Sequence, residues 1–155
     1  LTCCGSRRWA ARIAARRPYP DLDALLAAAD DSSYEMSPAD LAEALADESR
    51  VPQPPGLRSP GSPAAETALR AAHAAYESRF GHVFIICLEG VAPDEQLDTV
   101  LAGLRTRLGH TPEEEAPVAA EELRKLALLR LGRLVAGHTA PGSGQLPRPR
   151  PATSG

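Results

Sequence analysis

Ala75-Tyr76-Glu77-Ser78-Arg79-Phe80-Gly81-His82-Val83-Phe84-Ile85-Ile86-Cys87-Leu88 is the stretch whose reading decides the fold. Its first half completes a helical pattern, because Leu69, Ala72, Tyr76 and Phe80 recur at three- and four-residue spacing and so share one face. Gly81 ends the pattern, as glycine does just past a helix C-terminus. The second half, residues 83–88, is apolar throughout and is the one strand-like run in the chain. There is no second run for it to pair with, and a lone strand cannot satisfy its backbone in a sheet. The expectation is an extended segment threaded between helices, with no sheet.

Downstream of this stretch, Pro93-Asp94-Glu95 opens a helix with acidic residues at the positive end of its dipole. Leu97, Val100, Leu101, Leu104 and Leu108 are its apolar stripe, and Gly109 stops it. Thr111-Pro112-Glu113-Glu114 reads as a capping box, and Pro117 is expected to kink or restart the helix it opens. Leu123, Leu126, Ala127, Leu131 and Leu134 make the last buried face. Residues 139–155 are rich in Pro, Gly, Ser and Arg without an apolar period, so a disordered tail is expected.

Upstream, Ser6 caps a helix that carries Trp9 and Ile13 and closes at Arg16-Arg17-Pro18. Pro20-Asp21 starts a short helix with Leu22, Leu25, Leu26 and Ala29 at helical spacing. Ser37-Pro38-Ala39-Asp40 is a capping-box variant with Pro at the first helical position, and Leu41 and Leu45 are the core face of its helix. Residues 49–63 hold five prolines and no apolar period, which predicts a loop. The outcome is an all-α, single-domain helical bundle over residues 1–138, with one extended segment, the Pro-rich loop at 49–63 and the tail at 139–155.

Composition agrees. At 155 residues the chain fits one domain. Apolar residues reach 43% but aromatics only 4%, so the core must be built from Ala and Leu, both strong helix formers. The net charge of −3 supplies no basic face for nucleic acid. No membrane segment is expected either. Cys3, Cys4 and Cys87 are odd in number and two are adjacent, which makes no disulfide framework. A reducing, cytoplasmic location is expected.

Taken residue by residue, the chemistry is sparse. Cys3-Cys4 reads as two buried small side chains, and no metal-ligand spacing is present. His73 lies on the face of Leu69, Tyr76 and Phe80, where a His is ordinarily a packed core residue and in the alternative a proton-transfer group. His82 and His110 each follow a helix-ending Gly and read as turn residues. Glu48 and Arg50 read as a solvated pair at the end of the third helix, and Glu113-Glu114-Glu115 with Glu121-Glu122 as a solvated face.

Three stretches taken together resemble the 2-oxo-4-hydroxy-4-carboxy-5-ureidoimidazoline (OHCU) decarboxylases. They are Cys3-Cys4-Gly5-Ser6 with Trp9 and Arg17-Pro18-Tyr19; Ala75-Tyr76-Glu77 with Arg79-Phe80-Gly81, Val83-Phe84-Ile85-Ile86 and Gly90; and Leu101 to Leu108 with the Glu-rich start and Leu/Arg-rich body of the last helix. The resemblance runs over roughly residues 1–135 and implies decarboxylation of OHCU to (S)-allantoin without metal or organic cofactor. It implies a small-molecule ureidoimidazoline or related ureide as partner, and leaves a homodimer open. In that family a His in a His-Pro-Arg-Ile-Gly motif is credited with the acid–base work. Here the motif reads Glu48-Ser49-Arg50-Val51-Pro52, with Glu48 at the His position. The family's Ser-x-x-Glu-Gln motif has no counterpart, since no Gln follows Ser62 and Glu66 at the right spacing. A solvated carboxylate, with a pKa of ~4.3, is a poor acid near neutral pH. The resemblance therefore implies Glu48 as the altered catalytic position, His73 as the second acid–base candidate, and Arg50, Arg79, Phe84, Ile85 and Ile86 as substrate-binding residues. The alternative is a non-catalytic ligand-binding or interaction module that keeps the helical fold.

Overall fold

The computed structural model describes residues 1–49 and 63–139. Within them the chain forms six helices: α1 (Arg7–Ala15), α2 (Leu22–Tyr34), α3 (Pro38–Glu48), α4 (Pro63–Phe80), α5 (Gln96–Leu108) and α6 (Pro112–Thr139). The described residues hold no β-strand, so the all-helical expectation is met.

Local chemistry sets most of the helix starts. The Ser6 hydroxyl accepts from the Trp9 N–H at 3.2 Å, and the Asp21 carboxylate accepts from the Ala24 N–H at 2.8 Å. Ser37 and Asp40 complete a reciprocal capping box at α3, and Thr111 and Glu114 form another at α6, with 2.9 and 3.2 Å bonds. Gly81 takes φ +76 just past α4, a conformation that costs glycine least.

Two apolar clusters form the core. The first gathers Cys3, Cys4, Trp9, Ala29, Ala44, Leu45, Ile85, Ala119, Leu123, Ala127 and Leu131. It joins α1, α2, α3 and α6. Trp9 anchors it by donating its indole N–H to the Ala29 carbonyl at 3.1 Å and the Ser33 hydroxyl at 3.0 Å. The second cluster packs Tyr76 of α4 and Val100 and Leu104 of α5 around Phe84.

The extended run 83–88 lies between the two. Its side chains alternate as extended backbone requires: Val83 and Ile85 enter the first cluster, while Phe84, Ile86 and Leu88 enter the second. Its polar backbone is met by side chains where a sheet would have supplied strands. Arg107 Nη1 donates to the Ile85 carbonyl at 2.7 Å, and the Glu122 carboxylate accepts from the Cys87 N–H at 2.7 Å.

Several expectations need correcting. The second helix is 13 residues long, not short. Residues 93–95 form a turn, and α5 starts at Gln96. Pro63 is helical, as the first residue of α4; residues 50–62 of the expected Pro-rich loop, and the tail beyond Thr139, lie outside the described residues. Pro117 does not break α6, which runs on for 28 residues. A proline this close to a helix start removes a single backbone bond, and the row of buried residues beyond it holds the rest together. Leu134 is 45% exposed, because the packing on α6 ends near Leu131. Leu25, Leu41, Leu69, Leu101 and Leu126 are half-buried, whereas Trp9, Tyr76 and Leu104 are fully buried as expected.

Candidate functional site

The capping box that starts α3 fixes which face of the helix meets the core. Ala44 and Leu45 are buried there, and Glu48, one turn further on, falls on the same face. It is not solvated; Arg50, its expected partner, lies outside the described residues. Only 7% of the Glu48 side chain is exposed, and its carboxylate meets Arg130 of α6 end-on, with Nη1–Oε1 2.5 Å and Nη2–Oε2 3.0 Å. Arg130 Nη1 also lies 3.4 Å from the Cys3 carbonyl, tying the chain's first residues to the same place. The Glu48 hydrogen bonds hold the Arg130 guanidinium more firmly protonated than usual. Burial pushes the neighbouring Cys4 thiol up, so it stays protonated and is no nucleophile.

A second polar group lies at the opposite end of α6. Glu115 is 1% exposed, not part of a solvated face. Its carboxylate accepts from the Tyr76 hydroxyl at 2.6 Å and from Arg107 Nε at 2.6 Å, and lies 2.9 Å from His110 Nδ1. Burial pushes Glu115 up, but the bonds from Arg107, Tyr76 and His110 outweigh it and hold the carboxyl below its usual range. Tyr76 is pushed far up by burial and by its bond to Glu115, and remains a hydrogen-bond donor. Arg107 stacks over Phe84, with its guanidinium carbon 4.4 Å from the ring centroid. Glu115, Arg107, Tyr76 and the Ile85 carbonyl thus form one satisfied buried network that fixes the extended segment.

The remaining sequence-derived candidates separate. Ile85 belongs to the cluster that includes Leu45 and Cys3, on the side of Glu48. Phe84 and Ile86 belong to the other cluster, where His73 meets Phe84 edge-on at 5.7 Å between centroids. Burial pushes His73 below the ordinary imidazole range, with the Glu77 carboxylate offsetting part of that. Arg79 is exposed and donates from Nε and Nη2 to the His110 carbonyl at 3.2 and 2.8 Å, pinning α4 to the turn between α5 and α6.

Concave sites built from described residues include the following two. One, of about 470 Å³, runs along α6 past Arg124, Lys125 and Arg133 to Glu89, and the other, of about 260 Å³, lies between Leu1, Arg7, Glu43 and Asp47. Neither is lined by Glu48 or by residues 84–86. Among the described residues, no group of three or more His, Cys, Asp or Glu side chains is placed to hold a metal ion. Likewise, no helix there is long and apolar enough to cross a membrane.

Arg130, Arg107 and Glu115 were missed as paired charges, although the sequence carried a signal. Glu115, Ala119, Leu123, Ala127 and Leu131 form one row at four-residue spacing, and Arg107 sits three residues past Leu104 on the α5 stripe. A charge in register with an apolar row is a buried charge that needs a partner.

The architecture is that of a known class of small helical lyases. A solved structure described as OHCU decarboxylase in the presence of (S)-allantoin matches with a TM-score of 0.68 and 26% identity, over 87% of this chain and 95% of that one. An (S)-allantoin synthase structure matches with a TM-score of 0.59 and 27% identity, over 79% of this chain and 40% of that one. The family model for OHCU decarboxylase matches residues 1–56 and 55–132, and the chain belongs to that family. A curated relative from Amia calva, 2-oxo-4-hydroxy-4-carboxy-5-ureidoimidazoline decarboxylase, is 36% identical over 63 residues. That match spans 41% of this chain and 34% of the relative.

Proposed function

We propose that the chain takes a ureidoimidazoline or related ureide where the end of α3 meets α6 and the extended segment, and that it decarboxylates OHCU slowly. The observation that supports this is the buried Glu48–Arg130 pair, Glu48 being the residue that the resemblance aligns with the family's acid–base His. Loss of carboxylate leaves an electron pair on carbon, which spreads into a neighbouring carbonyl or imine, and donors aimed at that group lower the barrier. An acid must then protonate one face of the carbon to give one enantiomer. Both Glu48 carboxylate oxygens accept from the Arg130 guanidinium, which leaves neither free to meet a substrate carbon. Arg50, Arg79, Phe84, Ile85 and Ile86 remain the substrate-binding candidates in this reading. Glu48 is the altered catalytic position, and no cofactor is required. The helical domain is taken to span residues 1–138, in the cytoplasm, where the free thiols of Cys3, Cys4 and Cys87 fit a reducing compartment. The test is chiral analysis of freshly generated OHCU with and without the protein. A small but reproducible acceleration of (S)-allantoin over spontaneous decay is expected; acceleration comparable with an ordinary family enzyme would overturn the reading of Glu48.

A second reading is a non-catalytic binding or interaction module. It is favoured by the same locked carboxylate together with the Ile85 carbonyl and Cys87 N–H, both already taken by side chains of this chain. Calorimetry with (S)-allantoin separates the two: binding with no turnover supports the module, and turnover removes it.

A further inference from the structure

The extended run 83–88 has two backbone edges, because successive residues of an extended chain turn their N–H and C=O groups to opposite sides. The odd-numbered edge is filled by side chains of this chain. His82 Nδ1 lies 3.0 Å from the Val83 carbonyl, Arg107 Nη1 donates to the Ile85 carbonyl at 2.7 Å, and Glu122 Oε2 accepts from the Cys87 N–H at 2.7 Å. Glu122 is itself held in place, since Lys125 Nζ donates to its Oε1 at 3.0 Å and its side chain is 15% exposed. The even-numbered edge differs. Among the described residues, no hydrogen bond reaches the backbone of Phe84 or Ile86. Phe84 is buried and Ile86 half-buried. A backbone group unpaired away from water costs about as much as a lost hydrogen bond, so such an edge favours any partner that can meet it.

We propose that Glu122 is a positioning residue: by holding the Cys87 N–H it aims the free Phe84 carbonyl and Ile86 N–H at the ureide group of a ligand. These two groups point the same way, as they do in a parallel ladder, where one residue of a neighbouring strand meets both. A ureide carries an N–H and a C=O in one plane and so can stand in for that residue. Of the three backbone positions, Phe84 and Ile86 then face the ligand, and Ile85 belongs to the clamped edge. Arg107 clamps the same edge, but it is also bound to Glu115 and Tyr76, whereas Glu122 can be changed without opening that buried network. The ureide rests on the function proposed above, and the clamp rests on the two edges alone.

The test titrates the full isotope-labelled chain with (S)-allantoin and reads the Ile86 amide by NMR. Wild type is expected to bind with a shift of that resonance. Glu122→Ala should bind about tenfold more weakly, the scale of one hydrogen bond to a charged group. Glu122→Gln, whose amide oxygen still accepts from the Cys87 N–H, should recover most of the loss. Equal affinity in wild type and Glu122→Ala overturns the positioning role, and so does a Glu122→Gln as weak as Glu122→Ala. Glu122→Asp, too short to reach Cys87, takes the place of Glu122→Ala with the same expectation if the latter does not fold. A ligand-free Ile86 resonance that is unmoved by loss of Glu122 overturns the clamp. One that moves in Glu122→Ala and returns in Glu122→Gln, with no response to (S)-allantoin in wild type, keeps the clamp and overturns the ureide reading instead.

Discussion

Arg107 and Glu115 lie in register with the apolar faces of α5 and α6, and the two meet there with Arg107 Nη2 2.5 Å from Glu115 Oε1, both side chains almost wholly buried. Neither charge reaches water, so each depends on its buried partners: Arg107 on Glu115, the Tyr76 hydroxyl and the Ile85 carbonyl, and Glu115 on Arg107, Tyr76 and His110. Removing one partner leaves an uncompensated buried charge, which typically costs about 3–5 kcal/mol. Arg107→Leu is therefore expected to destabilise by that order in urea unfolding. Arg107→Leu/Glu115→Leu should be less destabilised than the sum of the single changes, and strict additivity would show that the pair is not coupled.

The approach of α3 to the first residues of the chain depends on Gly5. A Cβ at this position would collide with Cβ of Asp47, an atom fixed to the helix backbone. Gly5→Ala should lower stability by about 1–3 kcal/mol, the usual cost of overpacking. Wild-type stability for the variant in chemical denaturation would mean that α3 sits further from Gly5 than described.

His73 gives the fold an acid-sensitive component. Its folded pKa is depressed by burial against Phe84, with the Glu77 carboxylate offsetting part of the effect. The unfolded chain takes up the proton first on acidification, so stability is complete above the ordinary imidazole pKa of ~6.5 and falls as pH drops through the lower folded value. His73→Gln cannot titrate and should lose less stability than wild type between neutral pH and pH ~5. Equal losses would place His73 in water. The same variant tests catalysis, since turnover unchanged by it removes His73 as the acid–base group.

Restoring an imidazole at the end of α3 should restore acid–base chemistry. A positioned general acid contributes roughly 10²–10⁴ in rate, and Glu48→His also frees Arg130. The variant is expected to form (S)-allantoin from fresh OHCU at least about tenfold faster than wild type, followed by circular dichroism. No gain would falsify the view that Glu48 limits the reaction.

The sequence by itself determined the helices, the extended segment and the family. Ser6, Asp21, Ser37 and Thr111 announce helix starts through bonds made within one turn, and such local chemistry is legible in a linear string. The unpaired run at 83–88 declared itself because the sequence offers no second strand-like run to meet it. The pairing of charges was decided by tertiary structure alone. Glu48 and Arg130 are 82 residues apart in sequence, and Tyr76 and Glu115 are 39 apart. A periodic pattern marks the face on which a charge sits, but its partner depends on how α3, α4, α5 and α6 pack. Burial then raises the cost of an unpaired charge until the two must meet. Glu48 reads as a solvated carboxylate in sequence for that reason, and packing turns it into the buried partner of Arg130.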